Sequence, residues 1–525
     1  MINSLEININ KEEKEFILER IEKILDSKIN WTNSTNVLEF EETMKKITGS
    51  NYAIATSTGS TAIEASLIAL GIQEGSVVYT QTLTAPPTVL SALSVGAIVV
   101  FVDSDKENFG MSLEDLKEKI DEYGTNGCVI PVHIGGYISK NIKDIVEYSH
   151  KMGMPVIEDC AHAHGSMIFD KYAGTFGDVG TFSFFLTKTL TSGEGGIIIT
   201  NNAEIDRKLR MIRNYGKDSD GYHVIKGSSW RMNEFTGVVA LSQIRSHNKI
   251  ILEKQRIAKK YDKLLENNKY FKSLTSQEIN GYYKYIIINK SNIPISYLIT
   301  SMESKYNIKL PGLVYSHLCH EEPFIIGNNK VKGVMKYYKN ATFLARNHLC
   351  LPIYMGLSED SVEYIIDCLN RACEITTVNE YKVSVIIPTY NRSALLQNTL
   401  NSLCNQTLSL NEFEVIVVDD GSNDLTYNVI KKYQNNLNLK YIFKKHDGFG
   451  VANSRNMGVD LSRGEIVIFL DCGMLCSRNY VQSHYFSHKK NPNSYILGYV
   501  YGYDDYNENK DIINCNVPFS HHLLL

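Results

Sequence analysis

One lysine of the chain stands where an amine could act as a nucleophile. Lys188 follows an apolar, β-prone run at 180–186 and precedes a glycine-rich turn at 193–196, after which a second apolar run begins. A lysine on sharply bent backbone between two apolar strands is shielded from water, and this desolvation lowers its pKa. A neutral amine can attack a carbonyl and form a Schiff base. The same segment also suits a surface lysine on a hairpin, so the choice depends on residues upstream.

Upstream residues supply other groups that a pyridoxal phosphate site requires. Besides a lysine, this cofactor needs an acid for its pyridine nitrogen, a cup for its phosphate and a group packed on its ring. Asp159 lies at a predicted strand end and is the candidate acid. Residues 58–61, Thr-Gly-Ser-Thr, open a predicted helix, whose free N–H groups and positive dipole end attract phosphate. Singly, each feature could be a helix cap or a plain helix start; together with Lys188 they favour the cofactor site.

Short apolar runs alternate with helical patterns over the first 200 residues and predict the scaffold. Five runs are typical of buried strands: 52–56, 77–80, 98–103, 128–133 and 155–160. Helical spacing of apolar residues separates them, for example at 60–70 and 112–123. Such alternation predicts an α/β fold with a mainly parallel sheet, in which ligands bind at the carboxyl ends of the strands. His133, Asp159 and His162 fall at those ends.

Further along, the chain divides into regions of different pattern. Residues 234–267 are helical in pattern, and a smaller α+β region with a predicted strand at 281–289 follows. A polar stretch then precedes a fresh strand at Val383, which opens a second α/β unit. We therefore predict a large cofactor-binding domain, a small α+β domain, a linker and an incomplete second α/β domain, at residues 1–245, 246–375, 376–381 and 382–525.

Composition bounds the class of protein. The 525 residues are 43% hydrophobic and 21% charged, as in ordinary soluble globular proteins. A net charge of −4 gives no reason to expect nucleic-acid or membrane-surface binding. We expect no signal peptide, because the N-terminus lacks a basic region followed by an apolar one. We expect no membrane span, because no apolar run approaches about 18 residues. Ten scattered cysteines without metal-finger spacing predict reduced thiols in a cytoplasm and argue against a zinc site.

Residues 10–373 resemble the DegT/DnrJ/EryC1/StrS family of sugar aminotransferases, which have fold type I. The resemblance rests on motifs in order along the chain: Thr58-Gly-Ser-Thr-Ala62, Phe101-Val-Asp103, Val129-Ile-Pro-Val-His133, Glu158-Asp-Cys-Ala-His162, Phe182-Ser-Phe184, 188–196, Arg213-Asn-Tyr-Gly216, Arg231-Met-Asn-Glu234 and Leu351-Pro352. It implies a pyridoxal phosphate enzyme that works as a homodimer with shared active sites.

The resemblance also implies a role for each site residue. Lys188 would form the Schiff base and then act as acid and base of the proton shift, while Asp159 would pair with the pyridine nitrogen. His162 would lie near the ring hydroxyl. Three residues would hold the cofactor phosphate: Gly59, Ser60 and Ser183. A relative within the family carries histidine in place of this lysine and performs dehydration, so Lys188 favours transamination.

Two positions depart from the family pattern. An aromatic residue usually stacks on the cofactor ring, and Ala85 stands at that position, so the ring face needs another partner. The family also supplies an asparagine from the neighbouring subunit toward the phosphate. Ser229, a shorter hydrogen-bonding residue, replaces it here.

The second unit resembles the opening of a family 2 glycosyltransferase of the GT-A fold. Four motifs carry this resemblance: 383–392, 415–422, 450–458 and 464–471. The Asp-Asp-Gly-Ser turn at a strand end offers carboxylates to the base and ribose of a nucleotide, and an aromatic residue could stack on the base. The resemblance implies that Tyr390 and Asp420 bind the nucleotide.

The metal site of that family is altered in this chain. Its usual Asp-x-Asp pair, whose last acid binds a divalent cation, is replaced by Asp471-Cys-Gly473. Asp471 remains the candidate ligand for the nucleotide and for Mg or Mn; no other metal ligand is predicted. The chain ends about a hundred residues before a domain of normal size would, and its end from Pro518 onward gives no sign of an acceptor-binding element. We expect donor binding here rather than independent glycosyl transfer.

The leading hypothesis is a transaminase that uses pyridoxal phosphate and converts a nucleotide-linked keto sugar to an amino sugar. Glutamate or glutamine would be the amino donor, in a pathway to an aminoglycosylated metabolite or a surface glycan. In an alternative, glycosyl transfer from a nucleotide sugar is the main activity and the first domain is a scaffold. In another, the C-terminal unit is a non-catalytic module that binds a nucleotide or a partner.

Overall fold

A computed structural model describes the chain in two compact units, residues 1–374 and 375–525. The described residues are 2–7, 9–27, 31–105, 109–274, 279–291, 293–334, 336–374, 381–444, 446, 450–492 and 494–498. The predicted linker lies outside them except for Tyr381, and so does the C-terminal segment from Pro518.

Helices and strands alternate through the first unit. Its strands are β1 Tyr52–Thr56, β2 Val77–Gln81, β3 Ile98–Val102, β4 Gly127–Ile130, β5 Ile157–Asp159, β6 Met167–Ile168, β7 Lys171–Tyr172, β8 Val179–Ser183, β9 Gly196–Thr200, β10 Phe271–Ser273, β11 Tyr285–Asn289, β12 Val331–Lys332 and β13 His348–Leu351. Its helices are α1 Lys11–Asp26, α2 Thr35–Thr48, α3 Gly59–Ala69, α4 Pro86–Ser94, α5 Leu113–Tyr123, α6 Ile142–Lys151, α7 Ala203–Ile212, α8 Glu234–Arg245, α9 His247–Leu265, α10 Ile295–Tyr306, α11 Pro323–Ile326, α12 Lys339–Asn347 and α13 Glu359–Glu374. Two short 3₁₀ turns occur at Ile134–Gly136 and Cys319–Glu321.

The main sheet of this unit is mostly parallel. Two four-stranded parts have the strand orders β12-β3-β2-β4 and β5-β8-β9-β1. Parallel bridges from Val129 to Val156 and from Val132 to Asp159 join β4 to β5. Strand β9 runs antiparallel to both β1 and β8. Every residue of β2, β8 and β9 is buried, as expected for strands covered on both faces, and this burial explains their continuous apolar runs.

The carboxyl edge of this sheet gathers the loops that matter for chemistry. Thr56 at the end of β1 and Ser183 at the end of β8 both pair with Gly196, the first residue of β9. A Cβ on Gly196 would lie only 2.2 Å from the carbonyl oxygen of Thr58, so the close approach of these loops requires glycine there. The loops after β1, β5 and β8 therefore lie at one edge.

A three-stranded antiparallel sheet, β10-β11-β13, forms the smaller part of the first unit. The strand predicted at 281–289 is shorter than expected, because β11 begins only at Tyr285. Tyr282 has a φ of +44°, which extended backbone does not allow, and a Cβ on Gly281 would strike the carbonyl oxygen of His164. Residues 281–284 are thus a bent segment packed against the loop after β5.

The second unit has one parallel sheet with the strand order β16-β15-β14-β17. Its strands are β14 Tyr381–Thr389, β15 Phe413–Asp419, β16 Leu439–Phe443 and β17 Gly464–Phe469. Its helices are α14 Ser393–Cys404, α15 Thr426–Tyr433, α16 Val451–Asp460 and α17 Tyr480–Lys490. Over the described parts of both units, no helix has the length and apolar character needed to cross a membrane.

Candidate active site

Lys188 lies in the connection between β8 and β9, the strands formed by the two apolar runs that flank it; these strands pair antiparallel. The loop turns tightly, since the Lys188 N–H donates to the carbonyl of Phe185 at 2.9 Å. Burial lowers the pKa of Lys188 to about 8; the Asp159 carboxylate opposes this shift, and the ammonium of Lys284 adds to it. About a tenth of such amines are neutral at pH 7. The side chain can therefore act as a nucleophile near neutral pH.

Asp159 ends β5 and is buried beside the same loops. Its Oδ2 accepts a hydrogen bond from the hydroxyl of Thr88 at 2.8 Å, and its Oδ1 accepts one from the N–H of Ala161 at 3.0 Å. These two donors fix the orientation of the carboxylate and leave lone pairs for a third. A protonated pyridine nitrogen is a donor that a buried carboxylate can hold. Thr88, in helix α4, was not predicted from the sequence, because a threonine inside a helix carries no signal of a distant partner.

The first turn of α3 and Ser183 form one small cup. Thr58 caps the helix reciprocally with Thr61, each side-chain oxygen accepting from the other residue's N–H at 3.1 Å. A Cβ added to Gly59 would lie 2.7 Å from the Cβ of Ser183, so these two residues are in direct contact. The N–H groups of Gly59 and Ser60 belong to a helix turn without intrahelical acceptors, which suits an anion.

His162 lies near enough to Lys188 to feel its charge, and its imidazole is neutral. Its Nδ1 accepts the N–H of Gly135 at 3.3 Å, which assigns the ring proton to Nε2 and leaves that atom as a donor. Its ring stacks on Tyr283 at 4.0 Å between centroids. Burial, reinforced by the charges of Lys188 and Lys284, holds the pKa of His162 well below its usual range. Tyr283 was not predicted, since it reaches the site from the bent segment before β11.

Ala85 occupies the position where the family usually has an aromatic residue, and an aromatic side chain from another part of the chain lies near it. Ala85 precedes α4, and its backbone lies near the hydroxyl group of Tyr315. The Tyr315 ring lies 6.0 Å from that of His162 and nearly parallel to it, at 24°. Asp159 is close enough that its charge, after burial, helps raise the pKa of Tyr315. A ring is thus available near Ala85, although sequence analysis did not identify it.

Ser229 is exposed. Its hydroxyl accepts from Nη2 of Arg231 at 2.9 Å. The next carbonyl, that of Trp230, accepts the N–H of Ser57 at 2.9 Å, so the segment runs beside the loop before α3. Within the described chain no hydrogen bond joins Ser229 to the cup residues Gly59, Ser60 and Ser183.

A buried polar cluster nearby serves the scaffold. Potential ligand atoms of His133, Glu158 and Cys160 lie within 4.8 Å of one another. The Glu158 carboxylate, however, is already bound to His133 at 2.9 Å. It also accepts three backbone N–H groups at 2.6–2.9 Å, from Gly174, Phe176 and Gly177. With four donors on one carboxylate, the cluster ties strands to the loop at 174–177.

In the second unit, the predicted nucleotide-binding residues follow three adjacent strands. Tyr390 comes after β14 and stacks on His446 at 3.9 Å and 7°. Asp420 comes after β15 and contacts the ammonium of Lys444 and, at 3.2 Å, Nδ1 of His446. Asp471 lies beyond β17 and accepts from Arg455 at 2.5 Å. The contacts of Tyr390 and Asp420 with His446 bring these two residues together, and neither Lys444 nor His446 was anticipated.

Cys472, the middle residue of the altered Asp-x-Asp motif, is buried. Its sulfur accepts the hydroxyl hydrogen of Thr389 at 3.4 Å. Gly473 has a φ of +104°, a conformation that an aspartate side chain rarely adopts. The second acid of the Asp-x-Asp pair is therefore absent in sequence, and the backbone at its position favours glycine.

The comparisons with known proteins agree with this geometry. Residues 11–370 match the DegT/DnrJ/EryC1/StrS aminotransferase family, and residues 384–519 match glycosyl transferase family 2. A GDP-perosamine synthase from Escherichia coli O157:H7 is 30% identical over 370 residues, which cover 69% of this chain and 96% of that protein. A validoxylamine A glucosyltransferase from Streptomyces hygroscopicus is 44% identical over 131 residues, which cover 25% of this chain and 31% of that protein.

Among solved structures, an E. coli GDP-4-keto-6-deoxy-D-mannose-3-dehydratase with bound hydrated PLP has a TM-score of 0.64 and 22% identity, covering 70% of this chain and 99% of that chain. This likeness establishes the fold, which is that of fold type I aminotransferases. The residues present fit pyridoxal phosphate. The cup at Gly59 and Ser183 is so narrow that a Cβ on Gly59 would fill it, and Lys188 and Asp159 supply an amine and a carboxylate near one another. The chain belongs to the DegT/DnrJ/EryC1/StrS aminotransferase family: it is a sugar aminotransferase that uses pyridoxal phosphate, followed by a family 2 glycosyltransferase unit.

Proposed function

We propose that this protein moves the amino group of glutamate or glutamine onto the ketone of a nucleotide-linked sugar. One observation carries the proposal: the amine of Lys188, with a pKa of about 8, lies within the electrostatic reach of the buried Asp159 carboxylate at one sheet edge. The relative named as a GDP-perosamine synthase supports a nucleotide-linked substrate. The large domain, residues 1–245, would hold the cofactor.

When bound, pyridoxal phosphate supplies an electron sink for the carbon that loses or gains the amino group. Asp159 would keep a proton on the pyridine nitrogen, and His162 would donate from Nε2 to the ring oxygen. The cup formed by Gly59, Ser60 and Ser183 would hold the phosphate. The Lys188 amine would hold the cofactor and then take the proton from the α-carbon of the donor, a task for which a pKa near the working pH is suited.

The first test is covalent capture of the cofactor. Wild-type protein incubated with pyridoxal phosphate should gain visible absorption, and borohydride should fix the cofactor on the peptide that contains Lys188. Lys188→Ala should give no such adduct, while Lys171→Ala, which removes an exposed lysine of the same unit, should behave as wild type. A wild type that takes up no pyridoxal phosphate would refute the proposal.

The second test is the overall reaction. The loaded enzyme, glutamate or glutamine, and a panel of nucleotide-linked keto sugars should yield an amino sugar, detected by mass spectrometry together with the keto acid. The sugar that reacts identifies the carbon that is aminated. Loss of water from the sugar without gain of nitrogen would contradict transamination in favour of dehydration.

We further propose a homodimer in which Ser229 of one subunit serves the phosphate of the other. The exposed position of Ser229, beside the loop that precedes α3, supports this arrangement. Co-expressed, differently tagged Lys188→Ala and Ser229→Trp subunits should be inactive alone. Their hybrid would keep one intact site if sites are shared. An inactive hybrid would indicate that each site belongs to one subunit.

For the second unit we propose binding of a nucleotide sugar, with Asp471 as the candidate metal ligand. The position of Tyr390, Asp420 and Asp471 after three adjacent parallel strands supports it. Calorimetric titration with UDP, GDP and their glucose conjugates, with and without Mn²⁺, should give binding that Asp420→Asn weakens and Glu465→Gln leaves unchanged. Metal-dependent hydrolysis of the sugar nucleotide would favour catalysis, and absence of any nucleotide binding would favour a partner-binding module.

We also propose that the protein acts in the cytoplasm. All nine cysteines of the described chain are free thiols, which suits a reducing compartment.

A further inference from the structure

A second lysine, Lys284, lies near the same aromatic ring as Lys188, and the proposed reaction gives it no role. Lys284 precedes β11, and its ammonium nitrogen lies 5.0 Å from the centroid of the Tyr283 ring. The ammonium nitrogen of Lys188 lies 4.9 Å from the same centroid. The two nitrogens are therefore at most about 10 Å apart.

The backbone fixes Lys284 on the His162 side of the site. The carbonyl of Gly135 accepts the Lys284 N–H at 3.3 Å, and the N–H of Gly135 donates to Nδ1 of His162 at 3.3 Å. His162 in turn stacks on Tyr283 at 4.0 Å. One glycine thus ties the small-sheet segment that carries Lys284 to the histidine expected beside the ring oxygen. The proposed phosphate donors, at the start of α3 and in Ser183, form a separate group.

The charge around Lys284 is unbalanced. Among the described residues, no carboxylate forms an ion pair with its ammonium group. Its charge instead meets other basic groups, since it contributes to the lowered pKa values of Lys188, His162 and Lys254. Lys254 is buried and donates to the carbonyl of Tyr282 at 3.0 Å. Half-buried positive charge without a counterion favours binding of an anion.

We propose that Lys284 binds the α-carboxylate of the amino donor. This inference rests on the proposed function, in which the donor is an amino acid. The donor nitrogen must take over the place of the Lys188 nitrogen on the cofactor, and its carboxylate is then only two bonds away. A cation beside Lys188 and His162 is within reach of that carboxylate. A sugar diphosphate, attached several bonds from the reacting carbon, must lie farther out, and the cofactor phosphate has its own donors.

The test separates the two half-reactions of the holoenzyme. We compare wild type with Lys284→Met, Lys284→Arg and the control Lys290→Met, which removes an exposed lysine just after β11. The first half-reaction, with glutamate, is followed by the change in cofactor absorbance. The second is followed by adding a reactive keto sugar to enzyme already in its amino form. Calorimetric titration with glutarate, which has the two carboxylates of glutamate but no amine, reports binding without turnover.

Loss of one charged hydrogen bond predicts that Lys284→Met weakens glutamate and glutarate binding about 10- to 100-fold. Lys284→Arg should recover most of this loss, and the keto-sugar half-reaction should change less than about threefold. The proposal is overturned if the Lys284→Met variant binds glutarate as tightly as the Lys290→Met control does. It is also overturned if Lys284→Met weakens the binding of keto sugar or of pyridoxal phosphate as much as it weakens the binding of glutamate. If the wild type does not react with any amino acid, the proposed function fails, while the glutarate titration still decides whether Lys284 is a carboxylate site.

Discussion

Replacing Gly59 by alanine tests the cup that is proposed to hold the cofactor phosphate. A Cβ at this position would lie 2.7 Å from the Cβ of Ser183 and 3.1 Å from its Oγ. Carbon atoms pack best at about 3.5–4.0 Å, so the helix start and Ser183 must separate by about 1 Å. Overpacking of this kind costs about 1–3 kcal/mol. If the cup widens to accommodate it, that cost corresponds to roughly a 5- to 150-fold weaker dissociation constant for pyridoxal phosphate.

A mutant cycle separates the steric contact from the lost hydroxyl. Ser183→Ala keeps the Cβ that the added methyl group of Gly59→Ala would strike, whereas Ser183→Gly removes it. We therefore expect Ser183→Gly to relieve the steric cost of Gly59→Ala, giving a favourable coupling energy of about 1–2 kcal/mol, and Ser183→Ala to give a coupling near zero. Gly327→Ala is the matched control, since a Cβ there meets nothing closer than 3.6 Å.

Two measurements together report the free-energy cost of the added methyl group, whether it reduces the stability of the fold or the affinity for the cofactor. Urea unfolding of the apoenzyme reports strain that the folded chain retains, and titration of the apoenzyme with pyridoxal phosphate reports damage to the cup. For Gly59→Ala, the loss of unfolding free energy and the loss of cofactor-binding free energy should together amount to about 1–3 kcal/mol. If both quantities match those of Gly327→Ala, or if Ser183→Ala relieves the cost as well as Ser183→Gly, the contact does not shape the cup.

Three further predictions concern buried charge. Glu234 accepts four hydrogen bonds at the start of α2, at 2.6–3.3 Å, so Glu234→Ala should lower the free energy of unfolding by about 2–4 kcal/mol in urea. Burial lowers the pKa of Lys254 to about 7, so the unfolded chain, with its lysine pKa near 10.5, binds the extra proton between these values. Stability should therefore rise with pH from 7 to 10.5, and Lys254→Met should remove up to about 1.4 kcal/mol per pH unit of that slope. Labelling of Lys188 in the apoenzyme by an amine reagent should rise about tenfold per pH unit below pH 8 and then level off, and Lys284→Met should move this midpoint upward.

The sequence was sufficient for the scaffold because the strands are buried on both faces. Apolar runs at 52–56 and 77–80 became β1 and β2 nearly residue for residue. Errors occurred where an apolar run contains a residue that cannot continue a strand. The run at 128–133 ends as β4 at Ile130, because Pro131 has no N–H to give to a neighbouring strand. The run at 281–289 loses its first four residues to the backbone of Tyr282, whose positive φ has no sequence signature in tyrosine.

The residues of the proposed site fall into two groups: those that a local sequence pattern indicates and those that depend on contacts between distant segments. Asp159 ends a strand and Gly59 begins a helix, and Lys188 lies in the connection between two strands. At each of these places the local sequence pattern marks a change of chain direction. Thr88 is different, since its role follows from a hydrogen bond to a residue 71 positions away. Tyr283 and Tyr315 reach the site only because the small sheet packs there, and no periodicity in their own segments indicates it.

The amine of Lys188 shows why such distant residues decide the chemistry. Burial lowers the pKa of Lys188. The nearby Asp159 carboxylate raises this pKa and so favours the protonated form of the amine. Lys284 opposes that carboxylate from a segment that sequence analysis assigned to a plain strand. An amino donor whose carboxylate binds Lys284 would neutralise this opposing charge, so the proton affinity of Lys188 would rise as the donor arrives. The lysine that must accept a proton from the donor would then become a stronger base at the moment it is needed, through a residue whose own strand pattern gives no hint of it.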